Sequence, residues 1–92
     1  MTERDQKGVT KMPWYVYILR CGDDTLYTGI TDDVDKRFAA HAAGKGAKYT
    51  RGRGPLTLVH TEELPDKSAA LKREIAIKKL TRDEKLRLIG EG

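Results

Sequence analysis

The sequence lacks the features that tie a protein to an oxidising compartment or to a membrane. Among its 92 residues there is one cysteine, Cys21, so an internal disulfide is impossible and the fold does not depend on oxidising conditions. No apolar run approaches the ~20 residues that a membrane-spanning helix requires. The segment 1–12 is largely charged and polar, without the apolar stretch of a secretory signal. We therefore expect a cytoplasmic protein with no membrane partner, in which residues 1–12 form a flexible tail.

Size and charge are the features that the sequence does offer. A chain of 92 residues is long enough for one domain, which we place at residues 13–90. The net charge of +4 and the pI near 9.3 fit a polyanionic partner. Four basic residues and no acid fall in one glycine-rich stretch: Lys45, Lys48, Arg51 and Arg53. This stretch is either an ordinary solvated loop or a site of close approach to a phosphate backbone, and we take these four residues as candidate nucleic-acid contacts.

The pattern of β-branched, aromatic, turn and capping residues predicts an α+β domain in the order β-β-α-β-α-α. We expect a small three-stranded antiparallel sheet flanked by helices. The predicted strands are Tyr15–Arg20, Leu26–Ile30 and Leu56–Leu64. The predicted helices are Asp33–Ala43, capped by Thr31 or Asp32, then Asp66–Leu80, and a last short helix from a Thr81–Glu84 capping box to Ile89.

The first two strands predict a hairpin with a definite register. If Arg20 pairs with Leu26, then Tyr17 lies opposite Gly29. Because side chains alternate between faces, Tyr17 and Tyr27 then share one face with Gly29. The glycine would leave space beside the Tyr17 phenol.

Glu74 is out of place in the second predicted helix. At 100° per residue it falls inside an apolar stripe formed by Ala70, Leu71, Ile75 and Ile77. A carboxylate facing the core costs several kcal/mol unless it is paired, protonated or bound to metal. An ion pair with Lys78, four residues on, explains the position as well as a metal site for Mg²⁺ does.

Arg37 and His41 lie four residues apart and therefore share one face of the first helix. The guanidinium of Arg37 matches phosphate oxygens, and His41 can accept a proton near neutral pH. Singly, each is as consistent with a solvated or structural residue, and the two tyrosines with sheet packing. Together with Tyr17, Tyr27 and Glu74 they supply what phosphodiester hydrolysis needs: a base for water, a cation for the phosphoryl charge and a metal ligand. This hypothesis requires the side chains to converge on one patch.

The same residues resemble the GIY-YIG nuclease superfamily. Tyr15-Val16-Tyr17 stands where that family has its first tripeptide, and Tyr27-Thr28-Gly29 where it has its second. Arg37, His41 and Glu74 follow in the matching order, and the stretch 41–51 resembles a small stand-alone bacterial branch (UPF0213/YhbQ-like). This branch is related to structure-specific endonuclease domains. The resemblance spans about residues 14–80.

The resemblance implies a divalent-metal-dependent nuclease with no small-molecule cofactor. It implies that Tyr17 helps to activate water, with His41 relaying its proton, and that Tyr27 orients the phosphate or the water. It implies that Arg37 stabilises charge on the phosphate, and that Glu74 holds a single Mg²⁺ or Mn²⁺. The implied substrate is DNA, with single-stranded and branched forms as candidates.

The sequence also departs from the family pattern. Tyr15 replaces a glycine, Thr28 replaces an isoleucine, and the late asparagine of many family nucleases has no counterpart in a chain without asparagine. With no separate DNA-binding domain, affinity is expected from the domain itself, a homodimer or a protein partner. Two further hypotheses therefore stay open: a nucleic-acid-binding module with little or no catalysis, and, ranked last, an RNA-directed role.

Overall fold

A computed structural model describes residues 12–90, and the predicted element order is confirmed. The strands are β1 (Trp14–Arg20), β2 (Leu26–Thr31) and β3 (Thr57–Leu64). The helices are α1 (Val34–Ala42), α2 (Lys67–Lys78) and α3 (Arg82–Leu88), and a single 3₁₀ turn spans Lys48–Thr50. Of the expected N-terminal tail, residues 1–11 lie outside the described part, and Met12 is exposed. No helix within residues 12–90 is long and apolar enough to cross a membrane.

The three strands form one antiparallel sheet with β1 in the centre and the order β2-β1-β3. The predicted hairpin register is confirmed: Arg20 pairs with Leu26, and Tyr17 pairs with Gly29. The pairing of β1 with β3 shifts between Ile18 and Leu19, which places an irregularity in that ladder. Because side chains alternate along β1, Val16 and Ile18 lie on one face of the sheet and Tyr17 lies on the other.

The hydrophobic core lies on the face that carries Val16 and Ile18. Both side chains are fully buried and pack with Ala70 and Ile77 of α2. Partly buried apolar residues surround this centre: Trp14, Leu26, Ile30, Val59, Leu64, Leu88 and Ile89. Each large side chain buried here contributes about 1.5–3 kcal/mol, and together they hold α2 and α3 against the sheet.

The buried face of α2 differs from the predicted one. Leu71 and Ile75 are exposed, so their assignment to the buried stripe was wrong. The stripe runs instead through Ala70, Glu74 and Ile77, at the i, i+4 and i+7 positions. The prediction that Glu74 lies on the buried side of the helix is confirmed, with 17% of its side chain exposed.

A charged network joins α2 to β3 in this orientation. Arg73 donates from Nε to Oε1 of Glu62 at 2.7 Å and from Nη2 to Oε2 at 3.0 Å. His60 completes the network through Nε2, 2.8 Å from the Glu62 carboxylate. A bidentate pair restricts both the rotation of a helix and its position along its axis, because each carboxylate oxygen accepts from a different guanidinium nitrogen.

Of the two helix caps that the sequence predicts, one is confirmed. Asp66 caps α2 by accepting from Ala69 N, and Thr81 and Glu84 form the expected capping box of α3. The cap of α1 is Asp33, not Thr31 or Asp32. Thr31 is unavailable because its hydroxyl is hydrogen-bonded to the backbone of Asp33 in the preceding turn.

Candidate active site

The second face of the sheet is organised around the phenol of Tyr17. This side chain is 2% exposed and lies across Gly29 of the edge strand β2. A Cβ atom at Gly29 would sit 2.5 Å from the Tyr17 hydroxyl. The space that the glycine leaves is therefore filled by the phenol itself, and no side chain other than glycine's hydrogen fits there without displacing it.

Three rings meet on this face. The Tyr17 hydroxyl lies 2.8 Å from Nε2 of His41, a residue of the last turn of α1 that is also 2% exposed. The Tyr27 ring centre is 6.3 Å from that of Tyr17 and 5.3 Å from that of His41. Strand pairing thus supplies the two phenols and α1 supplies the imidazole, as the sequence predicts.

The electrostatic surroundings keep the phenol and the imidazole neutral near pH 7. Burial raises the pKa of Tyr17, and the nearby Arg37 guanidinium opposes this by stabilising the phenolate. The phenol of Tyr27 and the carboxylate of Glu74 raise the Tyr17 pKa further. Burial lowers the pKa of His41, and the positive charge of Arg37 adds to the effect. Arg37 is therefore close enough to act on both partners of the hydrogen bond.

A second hydrogen bond, which sequence reasoning missed, holds the other side of the imidazole. Nδ1 of His41 lies 2.8 Å from the hydroxyl of Thr50, which is 2% exposed and bonds in turn to the Ala47 carbonyl at 2.9 Å. Thr50 follows His41 by nine residues across a loop, so no helical or strand period links them. Gly46 lies directly against the same ring, where a Cβ atom would overlap it.

The glycine-rich stretch of residues 45–53, called the basic loop below, contacts the same site. Its 3₁₀ turn presents Tyr49, which stacks on Tyr27 with ring centres 5.7 Å apart and planes at 28°. The Arg53 guanidinium lies 4.4 Å from the Tyr49 ring centre and forms an ion pair with Asp23. Arg53 is thus partly exposed and already engaged by Asp23 and Tyr49, while the other three predicted contacts are exposed: Lys45, Lys48 and Arg51.

Glu74 lies on α2, on the other side of the sheet from the three rings. Its carboxylate lies 3.3 Å from Nζ of Lys78, so the expected i,i+4 ion pair is present. Helix α2 packs on the Val16 face of the sheet, beneath β2 as well as β1, whereas the Tyr17 phenol lies on the opposite face above β2. The charge of Glu74 nevertheless raises the pKa of Tyr17. The structure therefore brings Tyr17, Tyr27 and His41 into contact, with Arg37 near Tyr17. The convergence of all five side chains that the hypothesis requires is not shown for Glu74, whose helix packs on the other face of the sheet.

The donor set can be tested against the metal that the sequence implies. Within residues 12–90, no three His, Cys, Asp or Glu side chains are grouped so as to hold a metal ion. That excludes a closed site of the structural-zinc type in this part of the chain. Mg²⁺, in contrast, keeps several waters and is bound by one or two carboxylates together with phosphate oxygens, and Mn²⁺ has similar ligand preferences. A half-buried Glu74 whose partner is an exposed lysine fits such a metal.

The chain is similar to known proteins over most of its length. A profile of the GIY-YIG catalytic domain matches residues 13–87. A UPF0213 protein of Natronomonas pharaonis is 58% identical over 77 residues, which cover 84% of this chain and 91% of the relative. The UPF0213 protein YhbQ of Escherichia coli K12 is 50% identical over 80 residues, covering 87% and 80%.

Two solved structures are similar as well. The solution NMR structure of a UPF0213 protein from Bacillus halodurans is 54% identical with a TM-score of 0.56, covering 85% of this chain and 83% of that one. The NMR structure of a protein from E. faecalis is 39% identical with a TM-score of 0.58, covering 86% and 85%.

Proposed function

The chain belongs to the GIY-YIG catalytic domain family, and from this we propose that it is a metal-dependent nuclease that hydrolyses phosphodiester bonds in DNA. Single-stranded and branched DNA are the candidate substrates, and the cytoplasm is the proposed location. One observation carries the proposal: the buried 2.8 Å hydrogen bond between the Tyr17 hydroxyl and Nε2 of His41. A neutral imidazole beside a phenol can withdraw the phenolic proton as the phenol withdraws one from water.

The remaining residues of the site take complementary roles. Arg37 is placed to stabilise negative charge on the phosphoryl oxygens, because its planar fork matches them. Tyr27, packed against both Tyr17 and His41, orients the phosphate or the water. Glu74 would hold Mg²⁺ or Mn²⁺. When bound, the cation supplies Lewis-acid stabilisation of the leaving 3′ oxygen.

The exposed basic loop would hold the nucleic-acid backbone. Lys45, Lys48 and Arg51 are solvent-accessible and unaccompanied by acids in their stretch of sequence. Phosphate contacts of this kind confer affinity without base recognition and weaken steeply with salt. A protein partner or a second copy of the chain would add to this affinity.

Cleavage by paired variants tests the proposal. Wild type, Glu74→Gln and Glu63→Gln are incubated with end-labelled single-stranded, duplex and branched DNA, in Mg²⁺, in Mn²⁺ and with chelator. Glu63 is the matched control, since it is an exposed carboxylate of β3. We expect cleavage by wild type and Glu63→Gln, and loss of cleavage in Glu74→Gln and with chelator. Equal cleavage by all three proteins would refute the assignment of the metal to Glu74.

The ion pair of Glu74 with Lys78 favours a second candidate function, a nucleic-acid-binding module with little catalysis that acts through a partner. Its signature is binding that falls with salt, is unchanged in Glu74→Gln and is accompanied by no cleavage with either metal. Parallel binding of DNA and RNA of matched sequence at one salt concentration separates it from an RNA-directed role.

A further inference from the structure

The imidazole of His41 has two hydrogen-bond partners, and which nitrogen carries the proton decides what the ring can do. If Nε2 is bare, it accepts from the Tyr17 hydroxyl. If Nε2 carries the proton, it donates to the Tyr17 oxygen instead, and the phenol cannot transfer its proton to the ring. The tautomer is set by the bond at the other nitrogen, Nδ1.

That bond is made by the hydroxyl of Thr50, which has one proton to donate. The hydroxyl lies 2.9 Å from the carbonyl of Ala47, a group that can only accept. Its proton is therefore committed to Ala47, and the 2.8 Å contact between Thr50 and Nδ1 requires the ring to donate. The Ala47 N–H also points at Nδ1 and would need a bare nitrogen there, but at 3.4 Å this contact is longer than an ordinary N–H hydrogen bond, whereas the Thr50 contact is 2.8 Å.

From this geometry we propose that Thr50 is a positioning residue for the proposed nuclease reaction. Its hydroxyl holds His41 in the Nδ1–H tautomer and leaves Nε2 free to accept the proton of Tyr17. The role of Thr50 in the reaction rests on the proposed function, whereas the tautomer of His41 can be measured without any substrate.

The position of Thr50 extends its role to substrate binding. Thr50 ends the 3₁₀ turn of the basic loop, between the exposed side chains of Lys48 and Arg51. Phosphate contacts that order this loop would therefore also order the bond that sets the tautomer. One short segment, residues 48–51, would therefore both contact the nucleic-acid backbone and fix the tautomer of His41.

Removing the hydroxyl has a definite consequence. In Thr50→Val the shape of the side chain is kept, but Nδ1–H loses its acceptor. The one polar neighbour left to Nδ1 among those described above is the Ala47 N–H, which needs a bare nitrogen. We therefore expect the ring to change to the Nε2–H tautomer and donate to Tyr17. Thr50→Ser restores the hydroxyl and serves as the rescue variant.

The test is nitrogen-15 NMR of the His41 ring in wild type, Thr50→Val and Thr50→Ser, together with single-turnover cleavage of DNA in Mg²⁺. His60→Gln identifies the signals, since the chain has two histidines. We expect protonated Nδ1 in wild type and Thr50→Ser, protonated Nε2 in Thr50→Val, and cleavage slowed on the order of 10²-fold in Thr50→Val alone.

Each result has one meaning. A bare Nδ1 in the wild-type protein overturns the inference without any variant having to fold. An unchanged tautomer in Thr50→Val overturns it as well. If the wild type shows protonated Nδ1 but cleaves no DNA, the proposed function fails while the role of Thr50 in setting the tautomer stands.

Discussion

Replacing Gly29 by alanine tests the packing on which the candidate site depends. The new methyl group would lie 2.5 Å from the Tyr17 hydroxyl and 2.7 Å from its Cζ atom. The phenol would have to retreat by roughly 1 Å to recover an ordinary van der Waals separation. It cannot do so freely, because it is 2% exposed and bonded to His41.

The expected cost follows from these contacts. Overpacking a filled site costs about 1–3 kcal/mol, and loss of the buried hydrogen bond adds about 1 kcal/mol. We therefore expect Gly29→Ala to lower the free energy of unfolding by roughly 2–4 kcal/mol, a large share of what a small domain has. Guanidinium denaturation followed by the fluorescence of Trp14, the one tryptophan of the chain, measures this.

Gly54→Ala is the matched control. No atom lies within 4 Å of the Cβ position there, and the backbone is not in the left-handed region. That variant should unfold within about 0.5 kcal/mol of wild type, because the added methyl group meets no atom. If Gly29→Ala unfolds within about 0.5 kcal/mol of wild type, the phenol is not confined as described.

Two further predictions concern charge. Because burial and Arg37 lower the pKa of His41, its ring should titrate below the ordinary value of about 6.5, and an NMR midpoint at or above about 6.5 would contradict this. The contribution of His41 to the free energy of unfolding should be constant above that pH and fall below it, because the unfolded chain takes up the proton first. Arg73→Met should cost about 1–2 kcal/mol, discounted for the partial exposure of the arginine, since it strips Glu62 of its main partner. A double-mutant cycle with Glu62→Gln checks it, and a coupling near zero would show the pair to be incidental.

Local patterns predicted the hairpin, while the rotation of α2 depended on a distant contact. The register of β1 against β2 follows from turn residues and alternation, which a short segment contains in full. The buried side of α2 does not, because apolar residues occur on more than one side of that helix. Leu71 and Ile75 are exposed because Ala70 and Ile77 face the core, an orientation in which Arg73 also pairs with Glu62.

The candidate site was predictable to a similar degree. Tyr17, Tyr27, Arg37 and His41 lie on elements whose order and facing the sequence predicts, so their convergence could be anticipated. Thr50 could not, because a loop hydroxyl leaves no periodic signal and its partner is set by tertiary packing. In the same way, nothing in the sequence showed that Arg53 is occupied by Asp23 and Tyr49.

The chain of hydrogen bonds through the site ends at a main-chain carbonyl. From Tyr17 it passes through His41 and Thr50 to Ala47, whose oxygen accepts a proton but has none to pass on. His41 is also 2% exposed, so little of its ring meets solvent. A proton received at Nε2 lies next to the Tyr17 hydroxyl and can return through it. The hydrogen bonds can therefore hold one proton during a turnover but give it no exit through Ala47, and the reaction would have to return it to the side where Tyr17 lies.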